Sequence, residues 1–175
     1  LDTGAMYRAI GLKALRLGID TRDAERIAAM LPDTAVTIKY IDGSQNIFLD
    51  GENVTPYIRE NKVSMAASDV SAIPAVRVKL VELQRDIARN NDCILDGRDI
   101  GTYVLPSAEY KFYITATAEE RAKRRHKELT DKGVDISYES VLKDIAERDK
   151  NDSTRAFAPL KKADDAFEFD TTTMS

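Results

Sequence analysis

Leu95-Asp96-Gly97-Arg98-Asp99-Ile100-Gly101-Thr102 is the stretch that decides how this chain is read. It closes a short apolar run, Cys93-Ile94-Leu95, and gathers two acids, one arginine and two glycines into the six residues from Asp96 to Gly101. An apolar strand that ends in glycines and charges delivers those charges to the rim of a parallel sheet. In open α/β folds that rim is where ligands bind. The glycines permit tight turns and close backbone approach. Arg98 offers a planar fork that holds a phosphate or carboxylate through two parallel hydrogen bonds. Asp99 offers an acceptor for an amino group. The alternative is a solvated turn after a buried strand, but a fork-shaped cation beside an acid suits a site better.

Outward from this stretch, the beginning of the chain gives a second signal. Leu1-Asp2-Thr3-Gly4-Ala5-Met6-Tyr7-Arg8 runs directly into Ala9, Ile10, Leu12, Lys13, Ala14, Leu15 and Arg16, an amphipathic helical pattern closed by Gly18. Asp2 or Thr3 suits its N-cap. Arg8 falls in the first turns, close to the same sheet edge if Leu1 ends a strand; taken alone it reads as an exposed helix arginine.

The texture between these signals is an interrupted α/β pattern. A second helical segment after Asp20 leads to Leu31-Pro32. Ala35 to Tyr40 then alternates like a strand, Asp42-Gly43 is a hairpin signal, and Asn46 to Leu49 returns before a turn at Asp50-Gly51. This is a small antiparallel sheet inserted in an α/β chain. Thr55-Pro56 reads as an N-cap followed by proline at the first helical position. A long helix starts at Pro74 with Val76, Val78, Leu80, Val81, Leu83, Ile87 and Ala88 as its apolar face, and ends at Asn90-Asn91-Asp92. Cys93 to Leu95, Tyr110 to Ile114 and Ala166 to Phe169 are expected strands. Thr117 to Glu120 has capping-box spacing. The helix it starts carries Arg121, Lys123, Arg124, Arg125, His126 and Lys127, and is followed by Gly133 and a second helix ending in Glu147-Arg148-Asp149. Such a run is either a solvated helix face or a basic helical lid over a nucleotide. His126 reads as a solvated member of the run.

Composition narrows the class. The chain has 175 residues, 43% hydrophobic and 32% charged, enough for a real core with the charge load of a soluble protein. A net charge of −4 disfavours a broad nucleic-acid face. No apolar run reaches membrane-spanning length and no signal peptide is visible. The single cysteine, Cys93, cannot form an internal disulfide, which suits a reducing, cytoplasmic setting. In a buried strand it acts as a small hydrophobe rather than a nucleophile.

Four segments, in order, resemble the motifs of bacterial cytidylate (CMP) kinases in the nucleoside monophosphate kinase family. They are Asp2 to Arg8, Val63-Ser64-Met65-Ala66-Ala67-Ser68, Asp96 to Thr102, and Glu147-Arg148-Asp149-Lys150-Asn151-Asp152. Arg155-Ala156-Phe157-Ala158-Pro159-Leu160 fits as well, so the resemblance covers nearly the whole chain. It implies an α/β fold: a parallel-sheet, P-loop-type core over 1–30, 70–117 and 156–175, an inserted antiparallel-sheet subdomain for the monophosphate over 31–69, and a helical lid over 118–155. It implies transfer of the γ-phosphoryl group of ATP, carried with Mg²⁺, to CMP or dCMP.

The resemblance also implies roles residue by residue. Arg8, Arg98 and Arg155 match positions that grip the acceptor phosphate. Thr3, Arg77 and Asp99 match those that read cytosine; the family often has serine where this chain has Thr3. Ser68, Arg148 and Asp152 match positions around the sugar. Arg98, Arg148 and Arg155 are the expected catalytic set, with Arg121, Arg124 and Arg125 as lid candidates for ATP. Each has a plainer reading: helix caps for Thr3 and Ser68, surface ion pairs for Arg77, Arg148 and Asp152. Asp96 either orients Mg²⁺ through water or caps a turn, and no metal ligand is assigned. The expected partners are small molecules, with no nucleic acid and no membrane, and the expected state is a monomer.

One family feature does not occur in these 175 residues: the G-x-x-x-x-G-K-[ST] loop that cradles donor phosphates. The chain also stops at Thr171-Thr172-Thr173-Met174-Ser175, where the family continues into a helix. The expectation is a chain missing both ends, with negligible turnover by residues 1–175 alone. The alternatives are a nucleotide-binding module without catalysis, or a basic-lid protein that binds RNA and shows steep salt dependence.

Overall fold

Helix α1 (Gly4–Arg16) begins where the pattern places it, but its cap is shared between two residues. In this computed structural model, which describes residues 1–174, the Thr3 side chain makes no cap bond. Asp2 Oδ1 instead accepts from the Ala5 N–H at 3.1 Å. That frees the Thr3 hydroxyl to donate to the Asp96 carbonyl at 2.6 Å. Ser175, the last residue of the expected core segment, lies outside the described residues. The chain divides into two compact units, Leu1–Ile100 and Gly101–Ser175.

The first unit is built on α1. Its inner face, Met6, Ala9, Ile10 and Ala14, is fully buried. Helix α3 (Asn61–Ser71) lies so close that a Cβ at Gly11 would stand 3.0 Å from the Ala66 backbone. Small residues at Gly11, Ala66 and Ala67 permit that approach. Helix α2 (Ala24–Met30) is capped by Asp23, and α4 (Pro74–Asn90) starts with proline in its first turn. Strands β1 (Val36–Ile41), β2 (Ser44–Leu49) and β3 (Glu52–Asn53) form the antiparallel sheet in the order β1-β2-β3. Asp42 and Gly43 both take positive φ, 51° and 74°, as a two-residue hairpin turn requires. Ile47, Leu49, Val54 and Ile58 enter the same hydrophobic cluster as α1, α3 and α4.

Three local expectations for this unit are corrected. Thr55-Pro56 does not open a helix; the Thr55 hydroxyl accepts from the Ile47 N–H at 2.9 Å and ties a turn to β2, so α3 starts only at Asn61. Val78 is 61% exposed and stands off the buried face of α4. Cys93 to Leu95 is not a buried strand. Among the described residues its pairing is one isolated parallel bridge, Asp2 with Asp96. Cys93 is exposed, and Ile94 is 87% exposed.

The second unit holds a single π-helical turn (Ile100–Val104), β4 (Phe112–Thr115), α5 (Ala118–Asp131), α6 (Tyr138–Thr154) and β5 (Phe167–Asp170). Strands β4 and β5 pair in parallel, Phe112 opposite Phe167 through Thr115 opposite Asp170. Thr117 caps α5 by accepting from the Glu120 N–H, as its spacing requires. Gly133 takes φ 75° in the turn that separates the two helices. Ala122, Leu129 and Val141 form their common core. The α/β class read from the sequence, with parallel pairing and a small separate antiparallel sheet, is what the structure has.

Candidate active site

The bridge between Asp2 and Asp96 organises the first unit's polar cluster. Asp96 N–H donates to the Leu1 carbonyl at 3.0 Å, and Thr3 N–H to the Asp96 carbonyl at 3.2 Å. The glycine-rich turn therefore leaves its strand end beside the start of α1. Gly97 has no room for a side chain: a Cβ there would lie 2.5 Å from the Thr3 hydroxyl. Asp96 is crowded by Asp2 and partly shielded from water, and both effects raise its pKa, the loss of water more than the neighbouring charge.

Asp99 and Arg77 form a buried ion pair, 6% and 1% exposed. Arg77 Nη2 donates to Asp99 Oδ2, and Nη1 to the Ser71 carbonyl at 3.3 Å. Its guanidinium carbon lies 5.8 Å from the Tyr7 ring centroid. The surface-ion-pair reading of Arg77 is thereby corrected, because burial of this depth needs a partner such as Asp99. Arg8 pairs with Asp2 Oδ2 at 3.3 Å. Ser68 joins through the Ser71 hydroxyl, which donates to the Ser68 carbonyl at 2.8 Å. The Ser68 hydroxyl itself is buried with no hydrogen-bond partner among the described residues, so it is not serving as a helix cap. Thr3, Arg8, Arg77 and Asp99 thus share one neighbourhood, with Ser68 at its edge; Arg98 is exposed on the turn.

The second unit carries a separate cluster on α6. Asp152, 4% exposed, has Arg148 Nε at 3.8 Å and Arg155 Nη1 at 3.7 Å. Arg155 Nε also donates to the Ala158 carbonyl at 2.7 Å. On α5, Arg121 is held by both oxygens of Asp149 at 2.9 and 2.6 Å, which raises its pKa further, and Nε donates to the Ala116 carbonyl. Arg124 donates to Glu120 and to the carbonyls of Thr171 and Met174. Arg125 meets Glu128 at 2.7 Å; hydrogen bonds from Lys132 and Arg125 pull the Glu128 carboxyl down to about 2. His126 is not a solvated member of the run: its Nε2 sits 3.0 Å from the Ile136 carbonyl, and its ring stands edge-on to Tyr138.

Sequence reasoning missed two residues here. Tyr7 lies inside the Asp2 to Arg8 motif, but helical periodicity alone cannot show that its ring backs Arg77. Gln45, on β2, bonds the backbone of Asp2 with both ends of its carboxamide. No local pattern signals a contact of that range.

By its similarity to known proteins the chain is a phosphotransferase, a kinase. The chain belongs to the cytidylate kinase family, whose pattern it matches over residues 1–175. It is 54% identical to the cytidylate kinase of Caldicellulosiruptor bescii, over all of this chain and 77% of that protein. It is 47% identical to the cytidylate kinase of Anoxybacillus flavithermus and 46% to that of Bacillus pumilus, again over all of this chain and 78% of each relative. No described helix is long and apolar enough to cross a membrane.

Proposed function

We propose that the protein transfers the γ-phosphoryl group of ATP to the 5′-phosphate of CMP or dCMP, with negligible turnover by residues 1–175 alone because they carry no G-x-x-x-x-G-K-[ST] loop. An oxygen of the acceptor phosphate attacks the γ-phosphorus, the bond to the β–γ bridging oxygen breaks, and ADP leaves with that electron pair. No covalent enzyme intermediate is needed, and the acceptor is already anionic, so no strong base is required. The observation that carries the reading is the buried Arg77–Asp99 pair. A carboxylate fixed in place by an arginine can accept from the exocyclic amino group of cytosine. Uracil presents a carbonyl lone pair at that position instead.

Within the first unit, Arg8 and Arg98 are assigned to the acceptor phosphate, Thr3, Arg77 and Asp99 to the base, and Ser68 to the sugar. The buried, unpartnered Ser68 hydroxyl supports the last role. Within the second, Arg155 is assigned to the acceptor phosphate, Arg148 and Asp152 to the sugar, and Arg121, Arg124 and Arg125 to ATP. Residues 31–69 are assigned to an acceptor subdomain, supported by their own three-stranded sheet, and 118–155 to a lid, supported by the α5–α6 pair. The core segments are 1–30, 70–117 and 156–175.

Mg²⁺ is assigned as the companion of ATP; among the described residues no group of three or more His, Cys, Asp or Glu side chains could hold it, so the substrate phosphates would supply most of its ligands. When bound it neutralises charge on the transferring phosphates. The protein is assigned to the cytoplasm as a monomer, with small-molecule partners and no nucleic acid.

Calorimetric titration of residues 1–175 with CMP and UMP, beside a coupled assay of the complete gene product with ATP, Mg²⁺ and CMP, tests the reading. Saturable CMP binding that exceeds UMP binding, with ADP release that depends on CMP, is expected. Equal binding of both nucleotides, or preference for a long RNA with steep salt dependence, overturns it.

A further inference from the structure

The segment Leu1 to Thr3, bridged at Asp2, has two hydrogen-bonding edges. Leu1 and Thr3 turn theirs toward residues 94–96: Asp96 N–H reaches the Leu1 carbonyl, and Thr3 N–H reaches the Asp96 carbonyl. Alternation along a strand turns the N–H and C=O of Asp2 to the opposite side. A neighbouring strand would ordinarily take them. Here a single side chain does. Asp2 N–H donates to Gln45 Oε1 at 2.9 Å, and Gln45 Nε2 donates to the Asp2 carbonyl at 3.1 Å. Gln45 is half-buried in β2, one residue beyond Ser44, which closes the Asp42-Gly43 hairpin turn, and its own backbone pairs with Tyr40. Only a carboxamide has a donor and an acceptor placed to pair with one residue's N–H and C=O at once.

We propose that Gln45 is a positioning residue for the acceptor nucleotide, coupling the turn end of the β1–β2 hairpin to the start of α1, which carries Thr3 at its cap and Arg8 in its first turns. The inference rests on the reading above that Thr3 and Arg8 meet CMP. Asp2 is the junction. Its backbone is held by Gln45, its Oδ1 caps α1 at Ala5, and its Oδ2 pairs with Arg8 at 3.3 Å. A displacement of the hairpin therefore moves Asp2, and with it the Thr3 hydroxyl and the Arg8 fork. Conversely, a nucleotide that fixes Thr3 and Arg8 fixes the hairpin.

Gln45→Ala removes both bonds. Gln45→Glu keeps the size but sets a carboxylate oxygen against the Asp2 carbonyl. Calorimetry with CMP, thermal unfolding without ligand, and amide exchange at Asp2 are measured on both variants and the parent chain, with KM and kcat taken in the complete gene product. Loss of two neutral hydrogen bonds is expected to weaken CMP binding about tenfold, and Gln45→Glu more than Gln45→Ala. KM for CMP rises by a similar factor while kcat and KM for ATP stay within about twofold, and the Asp2 amide exchanges faster. A bond that matters only for folding would lower the unfolding temperature and weaken both substrates alike; that result overturns the proposal. CMP affinity within twofold of the parent in both variants, with Asp2 exchange accelerated, also overturns it and leaves the CMP reading standing. A parent chain that binds no CMP overturns both.

Discussion

Asp99→Asn separates the structural work of the buried Arg77–Asp99 pair from the base reading proposed for it. Asp99 is 6% exposed and Arg77 1%, so neither charge is relieved by solvent. Removing one partner of such a pair outright costs about 3–5 kcal/mol. Asparagine keeps the size and leaves an oxygen for Arg77 Nη2, so the loss is smaller, about 2–3 kcal/mol. For a chain of this length that lowers the unfolding temperature by roughly 5–10 °C. The second effect is on the base. Because Arg77 takes the amide oxygen, the amide nitrogen is left to face the nucleotide. It then meets the cytosine amino group donor to donor, and the uracil carbonyl donor to acceptor. CMP binding is expected to fall at least tenfold, UMP binding to hold or improve, and the CMP-to-UMP ratio to narrow by more than about tenfold. Calorimetry with both nucleotides on parent and variant reads the ratio, and thermal unfolding reads the stability term separately. Equal losses for CMP and UMP, tracking the lower stability, would refute the base-reading role and leave Asp99 as a structural partner of Arg77.

The remaining expectations address other parts of the same machinery. Arg98→Ala or Arg155→Ala in the complete gene product is expected to cost on the order of 2–4 kcal/mol in kcat/KM for CMP, with Arg98→Lys restoring only part, because a point charge does not replace a fork. Gly97→Ala forces a methyl to within 2.5 Å of the Thr3 hydroxyl, so a stability loss of about 1–3 kcal/mol and weaker CMP binding are expected by unfolding and calorimetry. Glu128 has its pKa lowered to about 2 in the folded chain by Lys132 and Arg125. Its contribution is therefore present above its ordinary value near 4.5 and lost as pH falls through about 2; the stability gap between parent and Glu128→Gln in acid titrations should close across that window. Arg125→Ala is expected to raise KM for ATP more than Arg124→Ala does, while Arg124→Ala lowers the unfolding temperature more.

What the chain discloses before folding is what local chemistry controls. The Asp42-Gly43 turn, the Thr117 cap and the Pro74 helix start each depend on a residue and its near neighbours, and each is found in place. The errors arose where a residue had a distant competitor. Thr55 had the makings of a helix cap, but the Ile47 N–H eight residues away claimed its hydroxyl. Cys93 to Leu95 had strand composition, but a strand is made by its partners, and among the described residues this segment ends in a single isolated bridge, Asp96 with Asp2. At the site, the family motifs named Arg77 and Asp99 without showing that they are buried against each other, 22 residues apart in the chain. Gln45 carried no signal, because a carboxamide that completes a backbone edge 43 residues away resembles any polar strand residue.

The arginines of the proposed lid differ in what each has left to offer, and this distinguishes residues that the sequence run makes look equivalent. Arg124 spends Nε on Glu120 and both ends of its fork on Thr171 and Met174, so it fastens α5 to the segment after β5. Arg121 is fixed on three sides, by Ala116 and by both oxygens of Asp149. Its fork is rigid and oriented, with one N–H on each terminal nitrogen still available. Among the described residues Arg125 makes one hydrogen bond, to a Glu128 it shares with Lys132. A phosphate approaching Arg125 has a single, half-exposed carboxylate to displace, and Lys132 remains to satisfy that carboxylate afterwards. Exposed pairs of this kind contribute little to stability, so the exchange is cheap. The same approach to Arg124 would strip two backbone carbonyls of their donor. On the ATP-binding role proposed for these arginines, Arg125 is the cation best placed to change partners, Arg121 the one best placed to hold still, and Arg124 the one whose loss is felt first in the fold.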